Sequence, residues 1–115
     1  MFIAAGEVIS AASGMPWARF VEERILRPLG MERTVALLAE TEGVENVATP
    51  HDEVDGVVVP IGNASVDPVK AAGSVWSSVE DMSRWLRLLL ADGVAPDGTR
   101  ILSEAVVEEM FSPQS

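Results

Sequence analysis

Cysteine and tyrosine are absent from this 115-residue chain, and histidine and lysine occur once each, as His51 and Lys70. The lack of cysteine excludes disulfides, thiolate metal ligands and cysteine nucleophiles, and it leaves the redox compartment unmarked. The lack of tyrosine removes a common phenolic general base. Basic residues are scarce, 8 against 18 acidic, for a formal charge of -10. They are scattered instead of forming a stripe that could displace counterions from phosphates, so nucleic acid is not an expected partner. No uninterrupted apolar run approaches the roughly 18 residues that a membrane span requires. Met1-Phe2-Ile3-Ala4-Ala5 carries no basic leader and no cleavage-site pattern, so it does not read as a signal peptide. It reads as a helix already under way, without a capping residue for the first backbone N–H groups, and this predicts a chain cut from a longer protein.

What is present is apolar enough to fold. A hydrophobic fraction of 48% and a mean hydropathy of +0.23 exclude disorder, and the length allows one unit over residues 1–115. Phe2, Ile3, Ala5, Val8, Ile9 and Ala12 recur at helical spacing, and Ser13-Gly14 should close that helix. A second helix is expected from Pro16, whose fixed φ suits a first helical position, with Trp17, Phe20, Val21 and Ile25 on one face. Arg19, Glu22, Glu23 and Arg27 fall mostly opposite. Glu23 and Arg27 have the favourable i,i+4 order, worth about 0.2–0.5 kcal/mol when exposed. Pro28-Leu29-Gly30 stops the helix.

Thr34 to Gly43 reads as loop with one helical turn. Asp55-Gly56, flanked by His51-Asp52-Glu53 and by Val57-Val58-Val59-Pro60-Ile61, predicts a small β-hairpin with Pro60 on an edge. Asn63 to Lys70 should connect. Ser77 with Glu80, or Ser78 with Asp81, predicts a capping box opening a third helix. Its apolar stripe is Val79, Met82, Trp85, Leu86, Leu89 and Leu90, with Arg84 and Arg87 pointing away and Asp92-Gly93 ending it. After a turn through Pro96-Asp97-Gly98, a fourth helix should be capped by Ser103 and bury Val106, Val107 and Met110.

Each residue able to do chemistry also has a structural reading. His51, with Asp52, Glu53 and Asp55, could form a metal site, but a transition metal needs three or four converging ligands and a single imidazole on a hairpin is weak support. Ser74, Ser77 and Ser78 lack the adjacent base that activates a nucleophile, since the position three before Lys70 is Asp67. Capping is the stronger reading for Ser77 and Ser78. Lys70-Ala71-Ala72-Gly73 is superficially like a Lys-Thr-Gly strand edge, yet it precedes a capped helix, and its small residues better serve close backbone approach. Trp17 and Trp85 are expected in the core, and Trp76 at an exposed rim.

Four separated blocks resemble the β-lactamase-related serine hydrolases, which include class C β-lactamases, D,D-peptidases and esterases. They are Gly6-Glu7-Val8-Ile9 with Ser13-Gly14-Met15, Arg24-Ile25-Leu26-Arg27-Pro28-Leu29-Gly30-Met31 with Thr34, Ala48-Thr49-Pro50-His51, and the run from Ala71 through Leu86. The resemblance spans nearly the whole chain, in order and spacing. It implies a mainly α (α+β) fold, the helical lobe of a two-lobed β-lactamase or penicillin-binding protein-like hydrolase with a small hairpin. It also implies a serine activated by a lysine one turn on, a Tyr-x-Asn motif, and a Lys-Thr-Gly or His-x-Gly strand, none of which matches a position here. No catalytic residue, metal or cofactor is therefore expected within the chain. Ala72, Gly73 and Ser74 match a loop bordering the family's substrate cleft. Class C β-lactamases carry an aromatic where Ala72 falls, which leaves esterase and peptidase relatives open. The expected partners are the remainder of the parent hydrolase and, through exposed apolar helix faces, a second copy. The competing reading is a stand-alone acidic helical interaction module.

Overall fold

Gly14 ends the first helix, α1 (Phe2–Ser13), in the left-handed conformation at φ 70, and its N–H donates to the Ser10 carbonyl at 3.0 Å. The helix lies against the rest of the chain at Gly6, its one buried residue. A Cβ at that position would overlap the Cβ of Ala71, with the Trp17 ring 3.6 Å away. Only a glycine lets the two backbones approach this closely. The structure, a computed structural model, describes residues 1–113; Gln114 and Ser115, the end of the expected 1–115 unit, lie outside the described residues.

Pro16 takes the N-cap position (φ -55, ψ 142) instead of the first helical position, so α2 runs Trp17–Val21. A π-helical turn, Glu22–Leu26, continues it, with the Arg27 N–H donating to the Glu22 carbonyl at 2.9 Å. Pro28 supplies a cause: it cannot donate to the Arg24 carbonyl and its ring crowds that group, which a wider turn relieves. The wider turn brings residues five apart into line. Arg27 consequently pairs with Glu22 at 3.0 Å, and Glu23 pairs with Arg19 at 2.8 Å, in place of the expected Glu23–Arg27 pair.

Leu26, Leu29, Met31, Leu88 and Ala95 form the core cluster, with Val21, Ile25, Trp85, Ile101 and Leu102 packed around it. Leu88 comes from α3 (Val79–Leu90), which Ser78 caps by accepting the Asp81 N–H at 3.2 Å. Burial on α3 departs from the expected stripe. Asp81 and Leu88 are the buried residues, while Val79 and Leu90 are 90% and 86% exposed. After the Asp92-Gly93 turn and a loop, α4 (Glu104–Phe111) begins at Ser103, whose hydroxyl accepts the Val106 N–H at 3.3 Å. Of the three residues expected inside, Val107 is buried but Val106 and Met110 are exposed, because one line of this short helix meets the chain.

Strands β1 (His51–Val54) and β2 (Val57–Pro60) pair antiparallel, His51 opposite Pro60 and Val54 opposite Val57. Asp55 and Gly56 both have positive φ, 52 and 78, as a two-residue turn of this twist requires. In a two-stranded ribbon both strands are edges, which accommodates Pro60. A 3-10 turn at Leu38–Thr41 is the single helical turn expected between Thr34 and Gly43. The connection expected through Lys70 instead tightens into 3-10 turns over Asp67–Ala72, with Pro68 at their start. The fold is mainly helical α+β.

Candidate cleft-wall loop

Ala72 and Gly73 are exposed, whereas Ser74, the third residue matched to the cleft border, is fully buried. Its hydroxyl donates to the Ala36 carbonyl, and its N–H donates to the Lys70 carbonyl at 3.1 Å. Val35 and Trp76 exchange two backbone hydrogen bonds, each 2.9 Å. The loop is thus stitched on its inner side to residues 35–36 and presents Ala72 and Gly73 outward. Replacing Ser74 with alanine is expected to lower stability by about 1–2 kcal/mol, because the Ala36 carbonyl loses its buried donor. The urea midpoint of the variant reads this directly.

Behind the loop lies a network that begins at Asp81. One carboxylate oxygen accepts the Arg33 N–H at 2.9 Å and the Thr34 hydroxyl at 2.8 Å. Since Thr34 donates to Asp81, the Ser77 hydroxyl 2.8 Å away donates to Thr34. Arg84 sits 3.8 Å from the other Asp81 oxygen and also pairs with Glu80 at 2.8 Å, so it does not simply point into solvent. Ser78 therefore caps α3 without a reciprocal answer from the Asp81 side chain, and Ser77 is not the cap. Two further carboxylates hold the same strand of loop. Glu40 accepts the N–H groups of Ala36 and Leu37 at 3.0 and 2.8 Å, and Asp67 accepts that of Leu38 at 2.9 Å. Among the described residues no buried side-chain nitrogen or oxygen lacks a partner.

The other sequence candidates lie apart from this network. His51 is exposed on β1, its Nδ1 2.9 Å from the Thr49 carbonyl. His51 and Glu53 face one side of the strand and Asp52 the other, so they do not converge. Among the described residues no three histidine or acidic side chains are placed to share a metal ion. Trp17 is buried, Trp85 packs half-buried on the core, and Trp76 is half-buried instead of standing free at a rim. An open concavity of about 810 Å³ beside α2 has Leu26 and Met31 in its lining and Arg19, Glu22, Glu23 and Arg27 among its charged residues. These charges neutralise one another in the two pairs described above. The hydrogen bond from Arg19 holds the Glu23 carboxyl below the ordinary carboxylate range.

The Beta-lactamase family model matches residues 1–115. This chain belongs to the β-lactamase family. It is 29% identical over 102 residues to penicillin-binding protein 4 of Amycolatopsis lactamdurans, covering 87% of this chain and 27% of that protein. The octameric penicillin-binding protein homologue from Pyrococcus abyssi superposes with a TM-score of 0.78 at 26% identity, over 96% of this chain and 24% of the homologue. The D-amino acid amidase from Ochrobactrum anthropi, solved with L-phenylalanine amide, gives 0.70 at 28% identity, over 94% of this chain and 31% of the amidase. The chain thus spans 27% of that penicillin-binding protein's length.

Within this β-lactamase-family chain, the residues that sequence reasoning missed are Glu40, Asp67 and the Asp81–Thr34–Ser77 connection. A signal existed for part of it. Thr34 and Asp81 both stand in the blocks that carry the family resemblance, yet local spacing assigned Asp81 to a cap because a contact across 47 residues has no local signature.

Proposed function

We propose that this chain is an internal segment of a serine acyl-transfer hydrolase of the β-lactamase, D,D-peptidase or esterase kind, and that it forms one wall of the substrate cleft. Residues 1–115 act as one unit, the helical lobe, and the Ser-x-x-Lys, Tyr-x-Asn and Lys-Thr-Gly or His-x-Gly motifs belong to the remainder of the parent polypeptide. Ala72 and Gly73 offer a small, side-chain-poor border to substrate, and Ser74 anchors that border from behind. Family membership over the full chain carries the reading. The state of the serines supports the division of labour: Ser10, Ser13 and Ser83 donate to carbonyls of their own helices, Ser74 to Ala36, and Ser77 to Thr34. In these contacts the hydroxyl proton goes to a backbone carbonyl or a second hydroxyl and not directly to a basic side chain of the kind that raises a serine's nucleophilicity. The amidase relative extends the candidate substrates from β-lactams and esters to amino acid amides.

The purified chain is expected to hydrolyse a chromogenic cephalosporin, a nitrophenyl ester and phenylalanine amide no faster than a buffer blank. Turnover by the isolated chain that a single serine substitution abolishes would overturn the proposal.

A further inference from the structure

Gly6 sits in the middle of α1, where the backbone is helical and any residue would serve, and a glycine there costs about 0.5–1 kcal/mol of stability relative to alanine. What the glycine gives is room. It faces Ala71, the residue immediately before the exposed pair Ala72 and Gly73, and α1 packs along the same 3-10 segment, Asp67–Ala72. Among the described residues no hydrogen bond or ion pair joins that segment to α1. Their separation is therefore set by shape.

The two ends of the segment are pinned to a different part of the chain. Asp67 accepts the Leu38 N–H at 2.9 Å, and Ser74 donates to the Ala36 carbonyl, so residues 68–73 form an arch standing on one short stretch of backbone. The Gly73 and Ser74 N–H groups both turn back to the Lys70 carbonyl, at 3.2 and 3.1 Å, which stiffens the arch. The seam between the arch and Gly6 is filled. It leaves a cavity of about 10 Å³, at the lower limit for a single water, and the Trp17 ring stands 3.6 Å from where a Cβ on Gly6 would lie. Beyond the arch the space is open, since a Cβ on Gly73 would meet no atom within 4 Å. Bulk added at Gly6 thus has one outlet, through Ala71 to Ala72 and Gly73.

We infer that Gly6 is a positioning residue, which acts through Ala71 to set how far the Ala72–Gly73 border projects into the substrate cleft. The inference rests on the reading of Ala72 and Gly73 as the border of a serine hydrolase cleft. Carbon atoms in contact settle about 3.5–4.0 Å apart, so a methyl group on Gly6 would displace the border by about 1 Å. A misplacement of about 1 Å in a group that positions substrate costs as much as about 100-fold. Because the displaced element is a wall and not a reacting group, the cost should fall on binding and not on the maximal rate.

The test uses the complete polypeptide encoded by the reading frame that contains these residues, labelled by a fluorophosphonate over a range of concentrations. Gly6→Ala should raise the concentration for half-maximal labelling rate at least about tenfold and change the maximal rate by less than about threefold. Adding Ala71→Gly to Gly6→Ala removes the overlapping methyl and should return the first constant to within about threefold of the unaltered protein. Gly98→Ala, strained but free of any clash, should lower the melting midpoint and leave both constants unchanged, which separates lost stability from a moved border. A half-maximal concentration that Gly6→Ala does not move overturns the inference, and so does a rise that Ala71→Gly fails to reverse, or a loss confined to the maximal rate. If Gly6→Ala does not accumulate, Ala71→Val enlarges the seam from the loop side and carries the same expectation. Failure of both to accumulate overturns the inference, because the seam then serves folding alone. An unaltered polypeptide that takes no label rejects the serine hydrolase and the role of Gly6 together; a labelled one whose constants Gly6→Ala leaves in place rejects that role alone.

Discussion

Asp81→Ala is expected to destabilise the chain by about 3 kcal/mol, because it strips the acceptor from two donors at once, the buried Thr34 hydroxyl and the part-buried Arg33 N–H. The Arg33 N–H and the Thr34 hydroxyl both end on one Asp81 oxygen, 2.9 and 2.8 Å away, in a side chain that is almost wholly enclosed. Alanine is too short to replace them and leaves room that water must fill. Asp81→Asn keeps a carbonyl acceptor near the same position and should cost only about 1 kcal/mol, the difference between a charged and a neutral hydrogen-bond partner. Urea titrations of the two variants report the contrast. Equal losses would mean that the negative charge of the carboxylate, and not merely an acceptor oxygen of the right shape, is what holds the two donors. The effect should reach the loop proposed as the cleft border as well, since Thr34 also receives Ser77, and Val35 and Ala36 hold Trp76 and Ser74.

A comparable loss, about 3 kcal/mol, is expected from Gly93→Ala, for a different reason. Gly93 has φ +83, where an L side chain costs roughly 1–2 kcal/mol, and its Cβ would also run into the Leu102 backbone carbonyl. Backbone yields less readily than a side-chain tip. The collision falls where the Ile101 and Leu102 N–H groups both donate to the Gly93 carbonyl, at 2.8 and 3.1 Å, so yielding would break the contact that folds the segment before α4 onto the core. Gly98→Ala isolates the conformational part: its φ is +87, but no atom lies within 4 Å of the added Cβ. Thermal melts of both variants should therefore differ by the steric component, and identical shifts would refute the close-approach argument.

The elements most legible in the sequence were those with a local chemical cause. Ser13-Gly14 closed α1, Asp55-Gly56 made the hairpin turn, and Ser103 capped α4. The misreadings share one origin. Pairing Glu23 with Arg27 assumed α-helical spacing, which the turn before Pro28 abandons. Expecting Asp81 to complete a cap assumed that its nearest donor would be local, while the donors it found lie on Arg33 and Thr34. The stripe on α3 was a correct description of its apolar residues and an incorrect description of what this chain buries.

Two properties were determined by the sequence alone: membership of the β-lactamase family, through ordered blocks such as Pro28-Leu29-Gly30-Met31, and the mainly helical architecture, through apolar periodicity and turn chemistry. Tertiary structure decided which serine is a strut, which carboxylates hold the loop, and which side of α3 meets the core. The physical reason is one of range. Periodicity, caps and turns act within about five residues and leave a mark at fixed spacing, whereas a buried carboxylate is satisfied by whichever donors the folded backbone brings within 3 Å, however distant in the chain.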